Sequence, residues 1–245
     1  MQRIALCSIA LLVGLWGCVT PSRPTSPPLP PPPVVIRPPQ PVVPVPPPAK
    51  PAPAEPAWGT PRSWYPPHGV ERGRWTTIVV HHSDSAKSTP QGMDSWHRQR
   101  GWEHGLGYHF VIGNGVNYPD GQVFVGPRWS GQQTGAHCKS KAGRYFGQYC
   151  TSNYFNEHGI GICLIGDFES GRPTARQLES LSRLIAFLSQ ECRISTDRIY
   201  GHGEVTHKTL CPGRFCNMDS IRRSVRLAAS RRSDSAASAA SFAGH

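Results

Sequence analysis

Short hydrophobic runs between residues 77 and 202 predict the strands of a sheet. The run Thr77–His82 is β-branched and apolar up to two histidines, a pattern typical of a buried strand. Residues 159–166 form a second continuous apolar run that suits a central strand. Three shorter segments also predict strands, at residues 106–112, 122–125 and 198–202.

Polar residues at fixed offsets mark the helices. Thr89 followed by Pro90 predicts a helix start, with the threonine as N-cap and the proline in the first turn. Thr174 and Gln177 form a capping box ahead of a helical stripe made of Leu178, Leu181, Leu184, Ile185 and Leu188. Residues 219–229 predict a terminal helix. Strands and helices alternate irregularly, which predicts an α/β fold with a mixed central sheet flanked by helices.

The first 18 residues have the pattern of an export signal. Three residues with one positive charge precede 13 mostly apolar residues, too few to span a membrane. The segment then ends in Leu15-Trp16-Gly17-Cys18, which resembles the bacterial lipobox. This resemblance implies a signal peptide over residues 1–17 and lipidation of Cys18. The alternative is an ordinary secretory signal in which Cys18 is incidental.

A proline-rich stretch follows the cysteine. Residues 18–57 hold 18 of the 26 prolines, a composition that favours an extended, semi-rigid polyproline II tether. The alternative is that this stretch is a docking ligand for a proline-binding domain. We expect the compact domain over residues 58–230 and a disordered Ser/Ala-rich tail over residues 231–245. Together these features predict a cell-envelope protein, lipid-anchored to the outer membrane and facing the periplasm.

Composition and charge narrow the classes of protein. Hydrophobic residues make up 38% and charged residues 17%, which excludes a wholly disordered chain. The net charge of +11 favours a polyanionic partner such as nucleic acid, acidic lipid or an anionic cell-wall polymer. The arginines clustered near residues 222–232 suit the last turn of a terminal helix. Because no zinc-finger or RNA-binding signature accompanies them, we expect no nucleic-acid partner. We expect a monomer.

The candidate chemistry begins with two residues near the end of the domain. His202 and Cys211 are both good zinc ligands, although a single His-x8-Cys pair is weak evidence. A catalytic zinc site usually has three protein ligands, and the third would come from His81 or His82. Neighbouring residues on a strand point to opposite faces, so only one of the two can reach the site. Spacing alone does not choose between them.

At this point the chain resembles a known family, the zinc-dependent N-acetylmuramoyl-L-alanine amidases of type 2, which share their fold with the animal peptidoglycan recognition proteins. The resemblance extends from about residue 75 to residue 225. Each motif is weak alone, and their common order makes the signal strong. They are IVVHHS at 78–83, LGYHFVI at 106–112, GAH at 135–137, NEHGIGI at 156–162, GH at 201–202 and CPG at 211–213.

The resemblance implies a single domain of this family's fold and a set of site residues. It places Zn²⁺ on His81, His202 and Cys211, with His82 facing away. Tyr108 and Thr209 are implied as catalytic residues beside the nucleophile and the substrate carbonyl. His137, His109 and Asn156 are implied as substrate-binding residues, and the alternative for His137 is a surface histidine beside a loop. The central strand carries no glutamate, which disfavours the cytosolic subtype that uses one as base.

The implied activity is hydrolysis of peptidoglycan at the amide bond between the N-acetylmuramoyl lactyl group and L-alanine, by a zinc-activated water. The alternative is a peptidoglycan-binding module of the same fold that does not cleave. In this family that state accompanies loss of a ligand, typically the cysteine, which is present here as Cys211.

Two further sets of residues leave alternatives open. Cys138 and Cys150 flank a glycine-containing insertion and would stabilise the domain if they formed a disulfide, whereas Cys163 lies in an apolar strand and is expected to be a free thiol. Trp96, Trp102 and Trp129 fit either sugar stacking or the core.

Overall fold

The computed structural model describes residues 60–227. Four predictions lie outside these residues: the signal peptide at 1–17, lipidation at Cys18, the tether at 18–57 and the tail at 231–245. The expected domain at 58–230 is described except for its first two and last three residues.

The described chain forms a five-stranded sheet with helices on both faces. The strands are β1 (Thr77–His82), β2 (Phe110–Ile112), β3 (Val123–Val125), β6 (Gly159–Leu164) and β7 (Ile199–Gly201), in the order β3-β2-β6-β1-β7. β2, β6, β1 and β7 are parallel, and β3 is antiparallel to β2. The predicted mixed sheet is therefore confirmed.

Five α-helices have bounds that lie fully within the described residues, and three of them are only four or five residues long. They are α1 (Pro90–Gln99), α2 (Pro127–Ser130), α3 (Tyr154–Glu157), α4 (Ala175–Cys192) and α5 (His202–Thr206). Residues 218–227 are also helical. A separate hairpin pairs β4 (Gly143–Tyr145) with β5 (Gln148–Cys150). None of the helices in residues 60–227 is long and apolar enough to cross a membrane.

The predicted caps of both long helices are present. The Thr89 side chain accepts a hydrogen bond from the Gly92 amide and opens α1. At α4, the Thr174 side chain accepts from the Gln177 amide while the Gln177 side chain accepts from the Thr174 amide. Each of these bonds satisfies an amide that has no partner within its own helix.

The predicted second strand is shorter than expected. Residues 106–109 are not in a strand, and only Phe110–Ile112 pairs with β6. Gly107 packs against the loop at residue 136, where a Cβ atom would lie 2.4 Å from the Ala136 carbonyl oxygen. This approach bends the chain away from the ladder just before β2 begins.

One face of the sheet carries a large aliphatic core. Alternate residues of β6, namely Ile160, Ile162 and Leu164, are fully buried there. They belong to the same cluster as Leu181, Leu184, Ile185 and Leu188 of α4. Trp64 and Trp129 also lie in this cluster, which settles Trp129 as a core residue. The helical stripe predicted from the leucines is thus the inner face of α4.

The opposite face of the sheet carries smaller and more polar side chains. On β6 the residues that point there are Gly159, Gly161 and Cys163, and on β1 the last is His81. Small apolar clusters flank this face, one around Val79 and Phe155 and one around Leu106 and Val111. This face holds the predicted site residues.

All six cysteines of the described residues are free thiols. The suggested Cys138–Cys150 disulfide is therefore not formed in this structure, in which Cys138 packs with Val79 and Phe155. Cys163 is a buried free thiol, as its strand position predicts.

Candidate metal centre

Three predicted ligands meet at one edge of the sheet. The ligand atoms of His81, His202 and Cys211 all lie within 4.8 Å of one another. His81 lies near the end of β1, and His202 is the first residue of α5, directly after β7. Because β1 and β7 are parallel neighbours, with Val80 opposite Gly201, their carboxyl ends bring both histidines to the same edge.

The loop that carries Cys211 is held tightly against the start of α5. The Gly203 amide donates to the Cys211 carbonyl at 2.6 Å, and the His82 amide donates to the Cys211 Sγ at 3.4 Å. A Cβ atom on Gly203 would lie 2.3 Å from the Thr209 carbonyl oxygen, so only glycine permits this approach. The hydrogen bond from the His82 amide to the sulfur is of the kind that stabilises a thiolate.

The strand geometry decides between the two adjacent histidines. His81 is 1% exposed and points to the polar face, with its Nδ1 atom 3.9 Å from the Cys211 Sγ. His82 points to the other face, where its Nδ1 accepts a hydrogen bond from the Phe168 amide. Of the two, only His81 is placed to act as a ligand with His202 and Cys211.

The second nitrogen of His81 contacts another histidine. His81 Nε2 lies 3.1 Å from His137 Nδ1, and His137 Nε2 lies 3.1 Å from the Gly159 carbonyl oxygen. The three rings of His81, His137 and His202 therefore form one cluster. The ring centroids of His137 and His202 lie 5.1 Å and 4.6 Å from that of His81.

Burial sets the protonation of this cluster. It lowers the pKa of His81 well below its ordinary value, and nearby histidines lower it further. Burial also lowers the pKa of His202, and it lowers the pKa of His137 to about 3. The same burial raises the pKa of the Cys211 thiol to about 12. Without a cation, the site therefore holds neutral imidazoles and a neutral thiol.

Comparison with known proteins identifies the family of this chain. Residues 71–214, more than half of the chain, match the N-acetylmuramoyl-L-alanine amidase family. The chain belongs to this amidase family.

Among individual relatives, the chain is similar to peptidoglycan-recognition protein LB of Drosophila melanogaster, with 29% identity over 160 residues, or 60% of this chain and 59% of the relative. It thus spans about three fifths of that relative's length. A second peptidoglycan-recognition protein, from Drosophila simulans, is 30% identical over 145 residues, or 56% of this chain and 68% of the relative.

A solved structure is similar as well. The endolysin N-acetylmuramoyl-L-alanine amidase LysCS from Clostridium intestinale superposes with a TM-score of 0.51 and 28% identity. The match covers 62% of this chain and 84% of LysCS. The α/β fold described above is thus that of the amidase family.

Tyr108 lies beside the ligand cluster of this amidase-family site. Its ring centroid is 5.1 Å from that of His81, and the residue is half-buried. Burial, together with the Cys163 thiol beside the phenol, raises the pKa of Tyr108 well above its ordinary value. The phenol therefore keeps its proton at neutral pH and can donate a hydrogen bond.

A cavity of 440 Å³ opens next to Tyr108. Its wall includes Lys87, Trp96 and His97 as well as the tyrosine. Trp96 is 53% exposed and therefore does not belong to the core, and sugar stacking by this residue stays a prediction. His97 is buried and its Nδ1 accepts from the Gly107 amide. The volume suits part of a substrate.

Two residues predicted to bind substrate have their polar atoms engaged inside the protein. His109 is fully buried, with Nδ1 accepting from the Gly161 amide and Nε2 donating to the Gln133 carbonyl. Asn156 accepts from the amides of His137 and Cys138 through one oxygen. These contacts support the loop at 133–138, and substrate binding by either residue stays a prediction.

Thr209 lies on the rim of the site rather than inside it. It is exposed, and its hydroxyl accepts from the Cys211 amide at 3.1 Å. It lines a second cavity, of 390 Å³, whose wall does not include Tyr108. Its contact with a substrate carbonyl stays a prediction.

A second group of metal-binding residue types lies nearby. His82, Asp84 and Asp167 place ligand atoms within 4.8 Å of one another. The His82 Nδ1 lone pair is already engaged by the Phe168 amide, so a neutral His82 carries its proton on Nε2. That leaves the ring without a free lone pair, and the group is better described as a histidine beside two carboxylates.

The contact between His81 and His137 is the site feature that the sequence did not predict. The two residues are 56 positions apart and belong to different motifs. The glycines of GAH and GIGI that border the His137 ring are present in the sequence, but no pattern there shows that the two segments meet.

Proposed function

We propose that this protein is a zinc-dependent peptidoglycan hydrolase that cleaves the amide bond between the N-acetylmuramoyl lactyl group and L-alanine. The observation that carries the proposal is the convergence of His81, His202 and Cys211 within 4.8 Å, in a chain of the amidase family. The named activity of LysCS and the cavity beside Tyr108 support it.

The donor set fits zinc. Two imidazoles and one thiol are ligands that zinc prefers, and three protein ligands leave a fourth position open, as in catalytic sites. The buried thiol is stable as a thiolate only beside a cation, because burial holds its pKa at about 12 without one. When bound, the zinc would supply Lewis acidity and a water of lowered pKa.

The chain's own residues contribute position, protons and exclusion of water. His81 is almost completely buried, so its side of the site is shielded from solvent. The Tyr108 hydroxyl keeps its proton, so it can donate to the attacking water or to the scissile carbonyl. Trp96 and Lys87 offer an apolar surface and a positive charge to a substrate in the adjoining cavity. The exposed Thr209 hydroxyl would bind the developing oxyanion.

The experiment uses zinc-loaded, full-length protein incubated with purified sacculi, with soluble products identified by mass spectrometry. We expect free stem peptides that begin with L-alanine. Cys211→Ala should release none. Cys192→Ala is the matched control, because it removes another buried thiol, one that lies in the core at the end of α4, and should leave release unchanged. If Cys211→Ala released as much peptide as the unchanged protein, the assigned site would be wrong.

The second candidate function is recognition of peptidoglycan without cleavage. The names of the two insect relatives favour it, since both are peptidoglycan-recognition proteins. The same experiment separates the two functions. Co-sedimentation with sacculi and no released peptide would support recognition, and released peptide would support hydrolysis.

The proposal extends to where the enzyme works. Peptidoglycan lies in the cell envelope, and lipidation of Cys18 followed by the proline-rich tether would hold the domain within reach of it. Mass spectrometry of the N-terminal peptide of the mature protein tests this directly. An unmodified N-terminus at another residue would contradict the anchor without affecting the proposed activity.

A further inference from the structure

His137 has both ring nitrogens in hydrogen-bond contact with the protein. Nε2 faces the Gly159 carbonyl oxygen at 3.1 Å, and Nδ1 faces His81 Nε2 at 3.1 Å. The resemblance assigns this histidine to substrate binding. Its contacts point in a different direction, toward the metal ligand.

The Gly159 carbonyl fixes the direction of both bonds. A carbonyl oxygen only accepts, so His137 Nε2 must carry a proton and donate it. In a neutral imidazole the other nitrogen, Nδ1, then has a lone pair and accepts. His81 Nε2 is therefore the donor in the second bond. His81 Nδ1 is left with its lone pair, and this is the atom that lies 3.9 Å from the Cys211 Sγ.

We propose that His137 is a positioning residue that holds His81 in the tautomer and ring orientation needed to bind the metal through Nδ1. This inference rests on the proposed function only in requiring that the site binds zinc. It does not require that the protein cleaves peptidoglycan. Outer partners of this kind orient a ligating histidine and raise its basicity. The carbonyl of Gly159, on the central strand, is the fixed end of the chain of bonds.

The fold provides a slot for the His137 ring. A Cβ atom on Gly161 would lie 2.6 Å from the His137 Cγ and Cδ2 atoms. A Cβ atom on Gly135 would lie 2.4 Å from Cδ2. Both distances are far shorter than the contacts that real Cβ atoms make, so any side chain at either position would displace the ring. Two glycines from different segments thus border the same imidazole.

The backbone of His137 is held as firmly as its ring. The Asn156 Oδ1 atom accepts from the His137 amide at 2.8 Å and from the Cys138 amide at 2.7 Å. The Gly135 amide donates to the Asn156 carbonyl at 2.8 Å. Asn156 is 8% exposed, so these bonds are shielded from water. The ring therefore has little freedom to turn toward a ligand in the groove.

The test measures zinc affinity of the full-length protein by competition with a chromogenic chelator. His137→Ala should weaken zinc binding about 10–100-fold, the range typical for loss of such a partner. His137→Asn places an oxygen near the position of Nδ1 and can still accept from His81 Nε2, so we expect it to restore most of the affinity. His68→Ala removes an exposed histidine and is the matched control.

A second variant tests the slot without changing the imidazole. Gly161→Ala should displace the His137 ring and weaken zinc binding as His137→Ala does. Gly143→Ala is the control, because the nearest atom to its new Cβ would lie 3.9 Å away. Cobalt absorption spectra should report the same loss, since they respond to the geometry of the ligands.

The outcomes separate clearly. Unchanged zinc affinity in His137→Ala would overturn the inference. Equal weakening in His137→Ala and His137→Asn, with unfolding unchanged, would also overturn it, because packing and not the acceptor would then be responsible. Tight zinc binding that depends on His137, in a protein that releases no peptide from sacculi, would support the inference and reject the proposed hydrolysis. An unchanged protein that binds no zinc would reject both.

Discussion

The two faces of strand β6 differ in the size of the side chains they carry. One face presents Ile160, Ile162 and Leu164, which are fully buried against α4. The other presents Gly159, Gly161 and Cys163. The first face is filled by aliphatic side chains, and the second is left open for imidazole rings from neighbouring segments.

This difference shows how one strand serves both stability and chemistry. Burial of aliphatic side chains stabilises the domain roughly in proportion to the area removed from water. Glycine contributes no side chain to that burial. Glycine at position 161 therefore contributes no packing on the polar face, where it leaves room for the His137 ring. The buried aliphatic side chains on the opposite face supply the packing that stabilises the strand. Variants on the two faces should then have separable effects.

The largest expected effect is on metal binding at the polar face. Cys211→Ser replaces the thiol with a hydroxyl, which zinc binds poorly in such sites. We expect metal analysis of the purified protein to fall from about one zinc per chain to near zero. The free energy of unfolding of the metal-free protein should stay close to that of the unchanged chain. A full complement of zinc in this variant would contradict the assignment of Cys211.

On the aliphatic face, Leu184→Ala should lower the free energy of unfolding by about 2–5 kcal/mol, since it leaves a cavity beneath α4. Leu184 is fully buried. Urea denaturation of the metal-free protein gives the value, and chelator competition should show unchanged zinc affinity. A parallel loss of zinc affinity would show that the two faces are not independent.

A third effect, of about 1–2 kcal/mol for His97, should appear as the pH falls. Burial lowers the pKa of His97 to about 4 and that of His109 well below its ordinary value. The unfolded chain then binds more protons than the native one, so stability is complete above about pH 6.5 and declines as the pH drops toward 4.

The variant His97→Asn tests whether His97 causes this pH dependence. It keeps an acceptor near Nδ1 for the Gly107 amide and has no group that titrates in this range. Urea denaturation at pH 7 and pH 5 should show a smaller loss of stability than in the unchanged chain. An identical loss would place the pH dependence elsewhere.

The smallest expected effect comes from the residue next to Gly161. Ile162→Val removes one methylene from the aliphatic face and should lower the free energy of unfolding by about 0.5–1.5 kcal/mol. It should not change zinc affinity. Gly161→Ala, one residue earlier, should instead weaken zinc binding. Comparing the two variants tests whether adjacent residues on opposite faces affect stability and zinc affinity separately.

Much of the fold could be predicted because its signals are local. Each of these signals depends on residues that are close together in the chain. They are the β-branched run Thr77–His82, the apolar run that contains strand Gly159–Leu164, and the helix caps Thr89 and Thr174. Residues 106–109 were wrongly assigned to a strand, since their bend depends on Gly107 meeting the loop at residue 136. The hairpin at 143–150 was not predicted, because its strands of three residues have little hydrophobic pattern.

The candidate site also has features that the sequence could predict and features that it could not. Spacing could not choose between His81 and His82, because adjacent positions on a strand differ only in the face of the sheet to which they point. The family resemblance made that choice. The contacts of His137 and Asn156 lay beyond the sequence. Each depends on which nitrogen or oxygen meets which partner, and hydrogen bonds between distant segments leave no periodic pattern.

The separation of the ligands along the chain would give a bound zinc ion a role in quality control. His81 and Cys211 are 130 residues apart, and they meet only when β1, β6 and β7 have paired. A metal bound there would recognise the completed fold and would add about 2.7 kcal/mol to native stability at a free concentration of about 100 times its Kd. Chains that fail to acquire zinc would open more often and be cleared first by proteases, so that the surviving population is enriched in metal-loaded molecules.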